Sequence, residues 1–119
     1  MNSKEIIKGI VDGGVLAVIR ANSVSDAVKM ATYANKGGIK GLEITFTVPD
    51  ADKVIEELVK NKVDALVGAG TVLNVETAKL AHSKGAQFIV SPCFDDEVNE
   101  YCKSVDIPYF AGCFTPTEI

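Results

Sequence analysis

The sequence predicts a parallel α/β fold built from repeating strand-helix units, and three observations carry that expectation. Five short β-rich runs, Leu16–Ile19, Gly41–Phe46, Asp64–Gly68, Gln87–Ser91 and Pro108–Ala111, begin roughly 20 to 25 residues apart, the length of one βα unit. Each run is nearly continuously apolar instead of alternating, as strands of a sheet covered on its outer face and packed within are. Between the runs, apolar residues recur at helical spacing.

Taken in order, the first segment, Met1-Asn2-Ser3-Lys4-Glu5, alternates charged with apolar residues. It reads as a short amphipathic helix and not as a signal peptide. The first strand, Leu16–Ile19, ends on Arg20. The next helix carries Val24, Ala27, Val28, Ala31 and Ala34 on one face. Ser23 and Asp26 resemble a capping box at its start. Lys36-Gly37 reads as its end, with Gly in the left-handed conformation after a cation. The second strand contains Glu43 between Leu42 and Ile44. Ala51, Val54, Ile55, Leu58 and Val59 form the face of the following helix. Asp50, Asn74 and Asp95 are N-cap candidates for the remaining helices, and Lys84-Gly85 is a second helix end. Thr115-Pro116-Thr117-Glu118-Ile119 reads as the opening turn of another helix. No linker, low-complexity tract or Pro-rich stretch interrupts the pattern.

Such units build either an open doubly wound sheet or a (β/α)8 TIM barrel. The evenness of the repeat and the lack of a Gly-x-Gly-x-x-Gly turn after the first strand favour the barrel. A whole barrel takes roughly 200 residues or more, and the chain has 119. Residues 1–119 therefore read as the N-terminal part of one barrel domain, about its first five βα units. Its first and last strands would keep unpaired edges, so self-association or a partner carrying further strands is expected.

Composition narrows the function classes. Hydrophobic residues make up 47% of the chain and charged ones 24%, the proportions of a soluble globular domain with a real core. A net charge of −4 without a Lys/Arg cluster leaves no basic face for nucleic acid. No apolar run approaches the roughly 20 residues that span a bilayer. Cys93, Cys102 and Cys113 lack C-x-x-C spacing and are odd in number, which reads as reduced cytoplasmic thiols in small packed positions.

Chemistry in a barrel collects at the C-terminal strand ends. Here those ends supply Arg20, then Glu43 with Thr45 and Thr47, then Gly68-Ala69-Gly70-Thr71, Ser91-Pro92-Cys93 and Gly112-Cys113-Phe114-Thr115. A cation, a carboxylate, hydroxyls and pliable backbone together suit a small anionic organic substrate. Glu43 is costly to bury in its ionised form unless paired or used. It reads as a general acid/base with a raised pKa, or as a structural ion pair with Arg20. Arg20 reads as a fork for a carboxylate or phosphate, or as the other half of that pair. Thr71 offers a hydroxyl beside glycines that let backbone approach a ligand, or it is part of a plain turn. Ser91-Pro92 and Phe114-Thr115 are turns in the simpler reading. The single His82 lies in a helical stretch and reads as exposed. Catalytic zinc usually takes two or three His, so metal-dependent chemistry is not the expectation.

Val18-Ile19-Arg20, Leu42-Glu43-Ile44-Thr45, Val67-Gly68-Ala69-Gly70-Thr71-Val72 and Phe88-Ile89-Val90-Ser91-Pro92 occur in this order and spacing. As an ordered set covering essentially the whole chain, they closely resemble the 2-keto-3-deoxy-6-phosphogluconate aldolases, also called 4-hydroxy-2-oxoglutarate aldolases. The resemblance implies a cytoplasmic, cofactor-free class I aldolase barrel, trimeric in the family. Such an enzyme cleaves a 2-keto-3-deoxy sugar acid to pyruvate and an aldehyde through a lysine Schiff base. It implies that Glu43 transfers protons, that Thr71 binds the pyruvyl carboxylate, that Arg20 lies at the first strand end and that Pro92 lines the site. Many members carry an arginine four residues after the glutamate to grip the carboxylate. Here that residue is Thr47, and Arg20 is expected to take over the charge. The resemblance also places the Schiff-base lysine on a sixth strand, in a Lys-Phe/Leu-Phe-Pro context, beyond Ile119. The eleven lysines present fall on helical patterns or just before strands, so none is a good substitute. A second expectation of a different class therefore stands beside the enzyme: a non-catalytic half-barrel that associates through its open edges.

Overall fold

The structure, a computed structural model, describes residues 1–119. Its elements alternate without exception: α1 (Ser3–Gly13), β1 (Leu16–Ile19), α2 (Val24–Lys36), β2 (Gly41–Thr45), α3 (Ala51–Lys60), β3 (Leu66–Gly70), α4 (Val75–Ser83), β4 (Ile89–Ser91), α5 (Asp96–Ser104) and β5 (Tyr109–Ala111), closed by a 3-10 turn over Pro116–Glu118. The strands form one sheet in chain order, β1-β2-β3-β4-β5, and every pair is parallel.

Register and the two-residue strand period divide the sheet into two chemically different faces. Leu42, Ile44, Val67, Ala69 and Ile89 are fully buried against Ala27, Ala31, Val54, Ile55, Leu58, Ala78, Ala81, Val98 and Cys102 of the helices. Each large apolar side chain sealed there contributes about 1.5–3 kcal/mol. The opposite face carries Val18, Glu43 and Gly68 in one row and Thr45 and Gly70 in the next. Phe88 is also on that face, fully buried. A Cβ on Gly68 would lie 2.5 Å from Phe88 Cγ, so the ring occupies the space the glycine leaves. Phe110 of β5 meets Phe88 edge-on, with centroids 6.2 Å apart. Val18 on the β1 edge is 52% exposed.

The helices begin as their sequences direct. Asn2 and Glu5 form a capping box on α1. Ser23, Asn74 and Asp95 each accept a backbone N–H from the residue three positions on. Near the N-terminal strand ends, α1 packs Gly9 against Leu66, with a Cβ at Gly9 placed 2.9 Å from Leu66 Cδ1.

Several expectations need correcting. The third strand starts at Leu66, two residues late, and runs on to Gly70. Asp64 and Ala65 form a bend before the strand, where the Asp64 carbonyl accepts from Asn35 Nδ2 at 2.8 Å and its exposed carboxylate pairs with Lys40. The strand continues through both glycines because Phe88 and Glu43 fill the spaces beside them. Gly37 is right-handed at φ −75°, and Gly38 carries the positive φ that ends α2. Asp50 precedes α3 but its side chain makes no cap hydrogen bond, and its backbone is left-handed where the capping Ser23, Asn74 and Asp95 are extended; its carboxylate lies 3.8 Å from Lys53 Nζ. His82 is half-buried, its Nδ1 2.8 Å from the Tyr101 hydroxyl, tying α4 to α5. Of the cysteines only Cys102 fills a packed position; Cys93 and Cys113 are exposed, because both follow strand ends where the chain leaves the sheet.

Candidate active site at the strand ends

Glu43 is the one ionisable side chain in the buried part of the sheet, 9% exposed. β2 holds it at the centre of a strand whose five residues are all buried. Its carboxylate lies over Gly70 of β3: a Cβ there would sit 2.8 Å from Glu43 Cδ and 2.9 Å from Cγ. Gly70 therefore serves to admit the glutamate, where the sequence suggested only a close approach to ligand. No ion pair to Glu43 forms. Burial pushes its pKa above the ordinary value, and the positive charge of Arg20 acts in the opposite sense with the smaller effect. The carboxyl group thus has the setting of a proton carrier, held in low dielectric without a fixed partner.

Arg20 follows β1 directly and is exposed. It contributes a field at Glu43 without a direct contact, so its five N–H donors remain open to an anion. The structural ion pair between the two residues is not what the structure forms.

Thr71 follows Gly70 and is half-buried. Its φ of +55° is left-handed, a conformation rare for a β-branched residue and costing about 1–3 kcal/mol. The surrounding backbone enforces it. Phe46 N–H donates to Gly70 O at 2.8 Å and Val72 N–H donates to Val90 O at 3.1 Å, pinning the chain on both sides of the turn. Strain of this kind concentrates at functional positions.

Thr47 is exposed, with its hydroxyl 2.7 Å from that of Thr45. Thr45 is buried, and its hydroxyl donates to Ile19 O at 3.2 Å. Pro92 is exposed after β4, and its carbonyl abuts Gly112 so closely that a Cβ there would stand 2.5 Å away. Arg20, Glu43, Thr47, Thr71 and Pro92 therefore occupy the same end of one sheet. The sequence named Thr45 with Thr47 at the end of this strand but gave no sign of the Thr45 bond to Ile19, which lies 26 residues away, and it gave Phe88 no role beyond its own strand.

No lysine joins this group. All eleven lie in helices or in the short segments that lead from them into strand N-termini. No set of three or more His, Cys, Asp or Glu side chains converges anywhere in the structure, and no helix is long and apolar enough to cross a membrane.

This arrangement has known counterparts. The family model described as "Aldolase: KDPG and KHG aldolase" matches residues 6–119. A 2-dehydro-3-deoxy-phosphogluconate aldolase of Treponema pallidum is 40% identical over 105 residues, covering 88% of this chain and 50% of that protein. Among solved structures, the 2-keto-3-deoxy-6-phosphogluconate aldolase of Zymomonas mobilis with 3-phosphoglycerate superposes with a TM-score of 0.82 at 26% identity, over 98% of this chain and 55% of that one. KDPG aldolase from Legionella pneumophila, with pyruvate captured as a covalent carbinolamine intermediate, gives 0.75 at 31% identity, over 87% and 50%. The chain spans about half the length of the curated relatives it matches. With five parallel βα units laid on half of an aldolase TIM barrel and the family match running from Ile6 to its last residue, this chain belongs to the KDPG and KHG aldolase family.

Proposed function

We propose that these 119 residues are the Glu43-bearing, N-terminal part of a class I aldolase barrel. The enzyme would cleave 2-keto-3-deoxy-6-phosphogluconate, 4-hydroxy-2-oxoglutarate or both to pyruvate and an aldehyde in the cytoplasm, as a homo-oligomer that is trimeric in the family. The observation that carries this reading is a buried carboxylate without an ion-pair partner at the C-terminal strand ends, flanked by a free guanidinium and a strained threonine.

The nucleophile is a lysine amine from outside the 119 residues. It attacks the keto carbon, C2, and the resulting carbinolamine loses water to give an iminium. Glu43, through water, supplies the proton for the departing hydroxide. It then accepts the C4 hydroxyl proton as the C3–C4 bond breaks and the iminium takes up the electron pair. The iminium is the electron sink, so the mechanism requires no metal. Arg20 holds the carboxylate's charge and Thr71 its oxygen, while Pro92 and Thr47 form the wall.

Pyruvate with borohydride, followed by intact mass, tests the assignment. The chain alone should gain no reduced pyruvyl group. Combined with the C-terminal half of the Treponema relative, it should support an adduct on that half's lysine, and E43Q should slow trapping by at least tenfold. An adduct on one of the eleven lysines, or an undiminished rate in E43Q, would overturn these residue roles. The open β1 edge, with Val18 largely exposed, favours a second reading, a non-catalytic half-barrel associating by strand pairing. A homo-oligomer seen by light scattering, with no trapping in the combined sample, would support it.

A further inference from the structure

The proton count around Thr45 and Thr47 restricts what the site can recognise, an inference that rests on the aldolase reading above. Thr45 Oγ1 is 3.2 Å from the Ile19 carbonyl oxygen and 2.7 Å from Thr47 Oγ1. A carbonyl oxygen only accepts, and a threonine hydroxyl has one proton. Both contacts are hydrogen bonds in one arrangement alone: Thr45 donates to Ile19, and Thr47 donates to Thr45. Thr45 is 1% exposed, so no solvent molecule relieves it of either partner, and a buried hydroxyl left unsatisfied is costly. The proton of Thr47 is thereby spent inward. What Thr47 presents at the strand ends is a pair of acceptor lone pairs.

We infer that Thr47 is a specificity-determining acceptor, which takes a hydrogen bond from a hydroxyl of the substrate and repels its carboxylate, and that Thr45 is the positioning residue that fixes this polarity. Thr47 then does not replace an arginine that grips a carboxylate. The anion falls to Arg20, whose donors are open. Because Thr45 bonds the carbonyl of Ile19, the residue before Arg20, one hydroxyl also sets the spacing between the β1 and β2 ends. A 2-keto acid bearing a hydroxyl on the carbon beyond C3 carries the matching donor, and pyruvate does not.

The first experiment uses this chain alone and is independent of catalysis. Threonine Cβ resonances, recorded in mixed light and heavy water, report whether each hydroxyl proton exchanges slowly. Slow exchange is expected at both Thr45 and Thr47. T45V should free the Thr47 proton, and T45S should restore its protection. Fast exchange at Thr47 in the unaltered chain, or protection that survives T45V, would overturn the inference. The second experiment uses the chain combined with the relative's C-terminal half. T47V, at an exposed position, should raise KM for a 4-hydroxy-2-keto acid by about tenfold more than it slows pyruvate trapping. An equal loss for both ligands would mean that Thr47 holds the shared carboxylate and would also overturn it. If the combined sample shows no aldolase chemistry, that reading fails while the exchange experiment still decides the polarity.

Discussion

Gly70 and Gly68 stand two residues apart on the same face of β3, and alanine at each should fail in a different way. At Gly70 the new methyl would lie 2.8 Å from Glu43 Cδ, about 0.6 Å inside ordinary contact, with the carboxylate oxygen closer still. The obstacle is the far end of a flexible side chain, which rotates away toward the strand ends. The carboxyl group must move by about 1 Å, enough to cost on the order of 100-fold in a reaction that depends on its placement. It also regains solvent, which should return its pKa toward the ordinary 4.5. At Gly68 the methyl meets the Phe88 ring, with Cγ 2.5 Å away, and that ring is wholly buried. Overpacking a rigid site costs about 1–3 kcal/mol. For a chain of this length that corresponds to a fall in Tm of roughly 3–15 °C. The assay pairs thermal melts followed by circular dichroism with a carbon-detected titration of the Glu43 carboxyl. G70A should melt within about 3 °C of the parent with a lowered Glu43 pKa, and G68A should melt early with an unchanged one. Equal melting losses in both variants, or an unmoved Glu43 titration in G70A, would refute the cradle argument.

Further outcomes follow from the same geometry. Burial favours protonated Glu43, so its contribution to stability is present in full below its unfolded pKa and is lost as pH rises through the higher folded value. E43Q should therefore flatten the difference in urea midpoint across that range and be the more stable form at pH 8; a variant less stable there with an unchanged slope would contradict the assignment. Arg20→Met removes the charge that lowers the Glu43 pKa, so the Glu43 titration should move further upward; a downward move would show that Arg20 is not felt there. Under native conditions iodoacetamide should label Cys93 and Cys113 and spare Cys102, which is buried with its thiol pushed up to about 11; three additions at pH 8 before denaturant would show that α5 opens readily. N74A removes a side-chain cap whose oxygen accepts from Thr77 N–H at 2.8 Å, and should cost about 0.5–2 kcal/mol by urea titration.

Much of the site was legible because its signals are local. A glutamate between Leu42 and Ile44 stands out against an apolar strand, and Arg20 is the one arginine of the chain. Caps at Ser23, Asn74 and Asp95 were legible for the same reason, since the donor they satisfy is three residues away. Asp50 misled because its residue type fits a cap while its backbone is left-handed, and φ is not written in a residue type. The two glycines of β3 misled in another way. Flexibility is their local meaning, whereas their role comes from Glu43, 27 residues earlier, and Phe88, 20 residues later in the chain.

By itself, the sequence determined the repeating βα rhythm, the parallel sheet, the buried carboxylate and the kinship with an aldolase barrel, because periodicity, charge and ordered motifs are properties of the chain. Only the tertiary structure decided that Glu43 and Arg20 act through a field without a bond, that Gly70 is a seat for Glu43, that Thr71 is strained and that the Thr47 proton points inward. Each of these depends on which atoms of one strand face those of the next, and that pairing exists only once the sheet has formed.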